Sequence, residues 1–145
     1  MTVKEYLLQY QKAYKDAQSI ELKITQLRLK YALPSAISYS DMPKAHNSNH
    51  DLSEYAAKLD GLEQSLINQY GKCMEIERGI INRINRLQNA DEKKVLLLRY
   101  TTLTNTGKLM YWDDIAAEMG FARQHVDRIH GRALIHFKDV LECYI

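Results

Sequence analysis

Residues 112–137 read WDDIAAEMGFARQHVDRIHGRALIHF, and this stretch decides how the C-terminal third folds. It opens with two aspartates, which suit the first turn of a helix because a helix N-terminus favours negative charge. Gly120 comes where that helix must end and can adopt the left-handed conformation that ends it. Ala116 is small enough to let a second helix cross closely, and Val126 can pack that helix onto the first. The spacing therefore predicts a helix-turn-helix.

The second helix of this pair is predicted to run from Arg123 to about Leu141. Its early outer face carries side chains that suit base edges, because arginine can donate two hydrogen bonds to guanine and glutamine can pair with adenine. The residues predicted to read DNA bases are Arg123, Gln124, Asp127 and Arg128. The residues predicted to contact phosphates from the flanks of the helix are His125, Arg132 and Lys138. The residues predicted to be buried are Val126, Ile129, Ala133, Leu134 and Phe137.

The segment before this pair predicts one more helix and a turn. Asn89-Ala90-Asp91 supplies a helix break and a new cap, after which Val95, Leu96, Leu98 and Tyr100 can pack inward. Asn105-Thr106-Gly107-Lys108 is a turn signal. Its Gly-Lys pair lacks the upstream glycine and the following serine or threonine of a phosphate-binding loop.

The N-terminal half predicts two long amphipathic helices joined by a loop. Eight residues from Tyr6 to Tyr31 follow alternating spacings of four and three, which places them on one stripe. Pro34 ends this helix, and residues 34–49 are predicted to form a loop. A second helix is predicted from Asp51 or Ser53 to Leu87, with Leu52 on its apolar stripe. Either the first helix packs on another helix of the same chain, or its stripe forms an oligomerising coiled coil.

The predicted fold is all-α, a long helical hairpin followed by a C-terminal helix-turn-helix. Residues 89–145 are predicted to form the DNA-binding domain. Residues 1–88 are predicted to form the hairpin, which supports this domain and can bring two copies of it together as a dimer. Apolar residues make up 46% of the chain, which is enough for a core. The net charge is only +2, but residues 121–138 carry four Lys or Arg and one Asp, so this part of the C-terminal segment is locally basic.

Other function classes lack their signatures in this sequence. No run of eighteen apolar residues and no signal peptide is present, so a cytoplasmic protein with no membrane partner is predicted. Cys73 and Cys143 are predicted to be buried free thiols. Histidines 46 and 50 lie beside the loop with Asp51 as their nearest third ligand, and no motif of a nucleophile or nucleotide site appears. We therefore predict no metal, cofactor, catalytic residue or small-molecule substrate.

Residues 91–138 resemble region four of bacterial sigma factors. The matching elements are a helix that ends in Arg99-Tyr100, an Ile-Ala pair at 115–116, a recognition helix with Val126 and Ile129, and an Ala-Leu pair at 133–134. Three features depart from that pattern. Ala122 stands where a capping serine or threonine is usual, Asp127 replaces a basic or polar residue, and the loop 101–111 is longer.

The whole chain is similar to phage and prophage late-gene regulators of the RinA/ArpU type. The similar stretches are the loop with Leu33-Pro34 and residues 40–44 (SDMPK), and the run RIHGRAL at 128–134. The resemblance implies a cytoplasmic transcription regulator, an activator of phage genes in a Gram-positive host, with double-stranded DNA as its partner. RNA polymerase and a second copy of the chain are further partners that it leaves open.

Two other functions fit the same pattern. A sigma-like fold can contact RNA polymerase or another regulator without reading DNA, and the near-neutral net charge favours that alternative. A phage DNA-packaging small subunit also joins a helix-turn-helix to helical parts. In such subunits the helix-turn-helix is commonly N-terminal, whereas here it is C-terminal.

Overall fold

The protein is all-α over residues 1–32 and 45–143, the part that the computed structural model describes. An isolated antiparallel bridge between Leu103 and Leu109 closes the loop between the fourth and fifth helices. The helices are α1 (Val3–Leu7), α2 (Gln9–Ala32), α3 (Ala45–Ile84), α4 (Ala90–Tyr100), α5 (Trp112–Met119) and α6 (Arg123–Glu142). None of these helices combines the length and the apolar character that crossing a membrane requires.

The predicted N-terminal helix begins earlier than its apolar stripe and is interrupted once. Thr2 and Glu5 form a capping box, in which the Thr2 hydroxyl accepts from the Glu5 N–H at 3.1 Å. The Thr2 N–H donates in return to the Glu5 carboxylate at 2.7 Å. The helix breaks at Leu8, between α1 and α2, and α2 ends at Ala32. Every residue of the predicted stripe between Tyr6 and Tyr31 is buried or half-buried.

Helix α2 lies antiparallel to α3, and small residues let the two helices approach closely. Ala13, Ala17 and Cys73 form a buried cluster at this contact. The Gln69 amide donates to the Ala13 carbonyl at 3.0 Å, which satisfies a polar side chain inside an apolar stripe. Near the other end of α2, the ring centroids of Tyr31 and Tyr55 are 4.7 Å apart.

Helix α3 corrects two sequence predictions. It begins at Ala45 rather than near Asp51, so residues 45–49, predicted as loop, are helical. The chain from Ala45 to Ile84 contains no proline, and nothing in its backbone chemistry opposes an earlier helix start. The rest of the predicted loop, residues 34–44, lies outside the described residues. Leu52 is 60% exposed, so it does not belong to the buried face of α3.

The main core joins the N-terminal hairpin to the C-terminal helices. Its fully buried side chains come from α1, α3, α4 and α6, and the Tyr6 ring packs on Phe137 with centroids 5.9 Å apart. Helix α1 and the end of α3 therefore lie directly against α6. The buried members of this core are Leu7, Ile80, Ile84, Leu87, Leu96, Tyr100, Ala133 and Phe137.

The structure confirms the predicted cap of α4 but contradicts the predicted burial of one of the two cysteines. The Asn89 side chain accepts from the backbone N–H groups of Asp91 at 2.9 Å and Glu92 at 3.2 Å, which confirms the predicted cap of α4. Cys73 is buried as expected, but Cys143 is exposed. Cys143 is the C-cap residue of α6, beyond the last buried side chain of that helix, Phe137.

Candidate nucleic-acid interface

A three-residue turn, Gly120-Phe121-Ala122, joins α5 to α6. Gly120 has φ 72° and ψ 26°, in the left-handed region that glycine tolerates best. The Phe121 N–H donates to the Ala116 carbonyl at 3.1 Å, and the Gly120 N–H donates to the Ala117 carbonyl at 3.3 Å. This pair of bonds is a Schellman motif, so backbone hydrogen bonds close the turn.

A second buried cluster holds α6 against α4 and α5. Val126 is fully buried and Ile129 is 3% exposed, and both belong to one cluster with side chains of the two preceding helices. Met119 and Phe121 pack at the edge of the same cluster. Its buried members are Val95, Ile115, Ala116, Val126 and Ile129. Because these residues fix one side of α6, the opposite side of its first turns faces away from the protein.

All of the residues predicted to read bases lie on this exposed surface. At 3.6 residues per turn, Gln124 and Arg128 point almost opposite to the buried side of α6, and Arg123 and Asp127 lie toward one edge. The Arg123 guanidinium donates to the Asp113 carboxylate of α5 at 3.2 Å, and both side chains remain more than half exposed. Arg128 and Gln124 thus form the centre of the exposed surface at the start of α6.

The residues predicted to contact phosphates are all exposed but do not lie together. His125 packs its ring edge on Phe121 at 4.8 Å between centroids, on one flank of α6. Arg132 lies on the same flank two turns further along. Lys138 is on the other flank, where it lines a groove with Met1, Tyr6 and other residues beside α1.

A histidine that the sequence did not single out fastens the base of the long loop 101–111. The His130 Nε2 lies 2.9 Å from the Tyr100 hydroxyl, and its ring contacts Trp112 at 4.6 Å between centroids. Burial, followed by the nearby charges of Lys4 and Arg99, lowers the pKa of His130 to about 4. The ring is therefore neutral at pH 7, and it bridges the residues at the two ends of the loop.

Arg99 serves the same loop rather than the exposed surface. Its guanidinium donates to the Met110 carbonyl at 2.5 Å and lies 4.5 Å from the centre of the Trp112 ring. Burial lowers the pKa of Arg99 from its usual value. Arg99 and Tyr100, the Arg-Tyr pair of the sigma resemblance, therefore hold the end of the loop that leads into α5.

The tip of the long loop docks on α2. The Gln18 amide donates to the Asn105 carbonyl at 2.6 Å, and the Gln11 amide donates to the Gly107 carbonyl at 3.1 Å. Gly107 is buried, with φ 79°. A Cβ atom at this position would lie 2.6 Å from the Gln18 side-chain oxygen. The hairpin thus holds the loop that leads into α5.

A further pair of side chains joins α4 to α6. His136 Nδ1 lies 2.9 and 2.8 Å from the two carboxylate oxygens of Glu92, whose side chain is 5% exposed. Sequence reasoning missed this contact because 44 residues separate its partners. Within residues 1–32 and 45–143, no three side chains of His, Cys, Asp or Glu are grouped closely enough to hold a metal ion.

Comparisons with known proteins add no relative. No family model matches the chain, and neither a curated protein nor a solved structure matches it. The interpretation of this surface therefore rests on its own geometry and chemistry.

Proposed function

We propose that the chain is a sequence-specific double-stranded DNA-binding transcription regulator. In this proposal α4, α5 and α6 form a helix-turn-helix domain of the sigma region-four type, with α6 in the major groove. The observation that carries it is the exposed start of α6. Gln124 and Arg128 point away from the protein there, while buried Val126 and Ile129 hold the helix in place.

The chemistry of that surface supports base reading over simple solvation. Arg128 can donate two hydrogen bonds to a guanine edge, and Gln124 can pair with adenine. Asp127 can accept from cytosine, although it repels phosphate. His125 and Arg132 lie on one flank of these residues, where a phosphate strand would run. Arg123 can reach a base only by giving up its ion pair with Asp113, which is exposed and therefore weak.

The resemblance to RinA/ArpU-type regulators supports phage or prophage genes as the target and activation as the outcome. It also supports a bacterial cytoplasm as the site of action and RNA polymerase as a further partner. A single helix-turn-helix makes few base contacts, so a second copy of the chain would double them.

The proposal is tested by comparing two arginines of the same helix. The Arg128→Ala substitution removes a base contact, so we expect it to weaken binding to the selected site by about 1–3 kcal/mol and to relax the sequence preference there. The Arg132→Ala substitution removes a phosphate contact, so it should weaken all duplexes to a similar degree. Fluorescence anisotropy on selected and scrambled duplexes measures both effects.

Retained specific affinity in the Arg128→Ala variant would contradict the proposal. If wild-type protein shows no preference among duplexes, the alternative is an interaction protein that contacts RNA polymerase without reading DNA. A ring-shaped oligomer in light scattering would instead favour the packaging subunit.

A further inference from the structure

Lysines are concentrated along one side of the α2–α3 hairpin. On α2, Lys12, Lys23 and Lys30 are separated by eleven and seven residues, which is close to three and two helical turns. On α3, Lys58 and Lys72 are fourteen residues apart, which is close to four turns. Each set therefore lies on one face of its helix. We call these lysines together the lysine side.

The two faces meet across the groove between the helices. Lys23 and Lys30 of α2 line one part of this groove together with Lys58 of α3. Lys12 and Lys72 line a second part nearer to α1. Each part is lined by lysines from both helices, so the two antiparallel helices build the lysine side jointly.

This surface has few charges that compensate it. All of its lysines are exposed, and none forms an ion pair with another residue of the described ranges. By the same sequence spacing, the acidic residues on these helix faces are Asp16, Asp51 and Glu54, three against five lysines.

On the opposite side of the same hairpin, acidic residues outnumber basic ones. Arg28 forms an ion pair there with Glu63 at 3.1 Å. Its charged residues are Glu21, Asp60, Glu63, Glu77, Arg28 and Arg78. The hairpin therefore separates its charges across its width, although the whole chain is nearly neutral.

We propose that the lysine side binds the phosphate backbone of duplex DNA outside the bases that α6 reads. This inference rests on the proposed function, since it adds a second contact to the same DNA. Lysine is a mobile point charge that suits phosphate without reading sequence. Lys12 and Lys30 are about 27 Å apart along α2 at 1.5 Å per residue, which matches about eight base pairs at 3.4 Å each.

The composition of the groove favours duplex DNA over other polyanions. Neither part of it is lined by an aromatic side chain, so it offers no platform on which unpaired bases could stack. Its apolar members, Leu27, Leu62 and Ile76, are half-buried between the helices, where they cannot insert into a lipid surface.

The test compares two double variants of the full chain that remove the same charge from opposite sides of the hairpin. One is Lys30→Gln with Lys58→Gln, and its matched control is Arg28→Gln with Arg78→Gln. Dissociation constants on a mixed-sequence duplex of about 40 base pairs are measured over a series of salt concentrations. Circular dichroism establishes that both variants keep the wild-type helix content.

We expect the lysine variant to lower the slope of log affinity against log salt by about 1.8, or 0.9 for each lost phosphate contact. Its affinity at low salt should fall at least about tenfold, while the arginine variant keeps the wild-type slope. The sequence preference of the lysine variant should remain that of the wild type, because α6 is unchanged.

Equal slopes for the two double variants would overturn the inference. The proposed function would still stand in that case if Arg128→Ala loses specific binding in the same assay. Wild-type protein that binds no duplex at any salt concentration would instead overturn the proposed function as well. Loss of binding to phosphatidylserine vesicles in the lysine variant, with an unchanged DNA slope, would assign the surface to lipid and also overturn the inference.

Discussion

Each of the two connections that flank α5 contains a glycine with positive φ, but the surroundings of the two glycines differ. The long loop before α5 contains Gly107 at φ 79°, and the short turn after it contains Gly120 at φ 72°. A Cβ atom on Gly107 would lie 2.6 Å from the Gln18 side chain of α2, whereas a Cβ atom on Gly120 would meet nothing within 4 Å. One connection is therefore packed against the N-terminal hairpin, and the other is closed by its own backbone.

The two connections therefore control different things: the short turn affects the angle between α5 and α6, and the long loop affects where this helix pair lies on the hairpin. The turn at Gly120 closes with its own backbone hydrogen bonds, and the second buried cluster packs α6 against α4 and α5. The docked loop, together with the shared core, fixes where that pair lies relative to the hairpin. Substitutions in the loop should therefore disturb the joint between the two halves, and substitutions in the turn should disturb only the pair.

The largest expected effect is that of Gly107→Ala. The left-handed backbone costs an alanine about 1–2 kcal/mol, and displacement of the Gln18 amide removes a hydrogen bond worth about 1 kcal/mol. We expect the free energy of unfolding in urea to fall by about 2–3 kcal/mol in total.

The matched control is Gly120→Ala, which carries only the backbone cost of about 1–2 kcal/mol. In a Gln18→Ala background, Gly107→Ala should lose the part of its effect that comes from the contact. Equal losses at the two glycines, in both backgrounds, would show that the loop is not docked on α2.

The next effect is the pH dependence that His130 introduces at the base of the loop. Because burial lowers its pKa to about 4 from the usual value of 6.5, the folded state binds the proton less well than the unfolded state. Its contribution to stability is complete above about pH 6.5 and is lost as the pH falls toward 4. We expect a loss of about 1–2 kcal/mol, less than the full shift implies because the ring is partly exposed.

The measurement is urea unfolding at pH 7 and pH 4.5 for wild type and for His130→Gln. Carboxylates also titrate in this range, so the informative quantity is the difference between the two proteins. The variant should show the smaller loss, while His125→Gln, at an exposed position of the same helix, should follow the wild type. If wild type and His130→Gln lose the same stability between pH 7 and pH 4.5, His130 is not the source of this pH dependence.

The smallest effect should come from the N-cap of α6. Ala122 is the N-cap of α6, with φ −68° and ψ 149°, and no side chain caps the helix there. A serine hydroxyl at this position can accept from a backbone N–H of the first turn, so Ala122→Ser should stabilise the protein by about 1 kcal/mol. Ala122→Val has no acceptor and serves as the control. No gain from serine in thermal unfolding would mean that the backbone N–H groups at the start of α6 are already satisfied.

The features that the sequence predicted correctly depend on residues within a turn or two of one another. Asn89 caps the helix that follows it directly, and Gly120 ends the helix that precedes it. The burial of Val126, Ile129 and Phe137 follows from helical spacing alone. Local chemistry was enough for these elements.

The features that the sequence did not predict depend on distant partners. Gln18 meets Asn105 across 87 positions, and His130 meets Tyr100 across 30 positions. No local pattern marks either contact, since the glutamine lies on a polar helix face and the histidine lies beside an apolar one. The exposure of Cys143 depends in the same way on where the packing of α6 ends.

The central claim is that α6 reads DNA sequence, and the most direct test is selection from fragmented phage and bacterial DNA. Wild-type chain and Arg128→Ala are each used to capture fragments at two salt concentrations, and the bound DNA is sequenced. We expect a recurring site that wild type retains at the higher salt concentration and that Arg128→Ala loses. Capture that falls uniformly with salt, to the same extent for both proteins, would mean phosphate attraction alone and would contradict the claim.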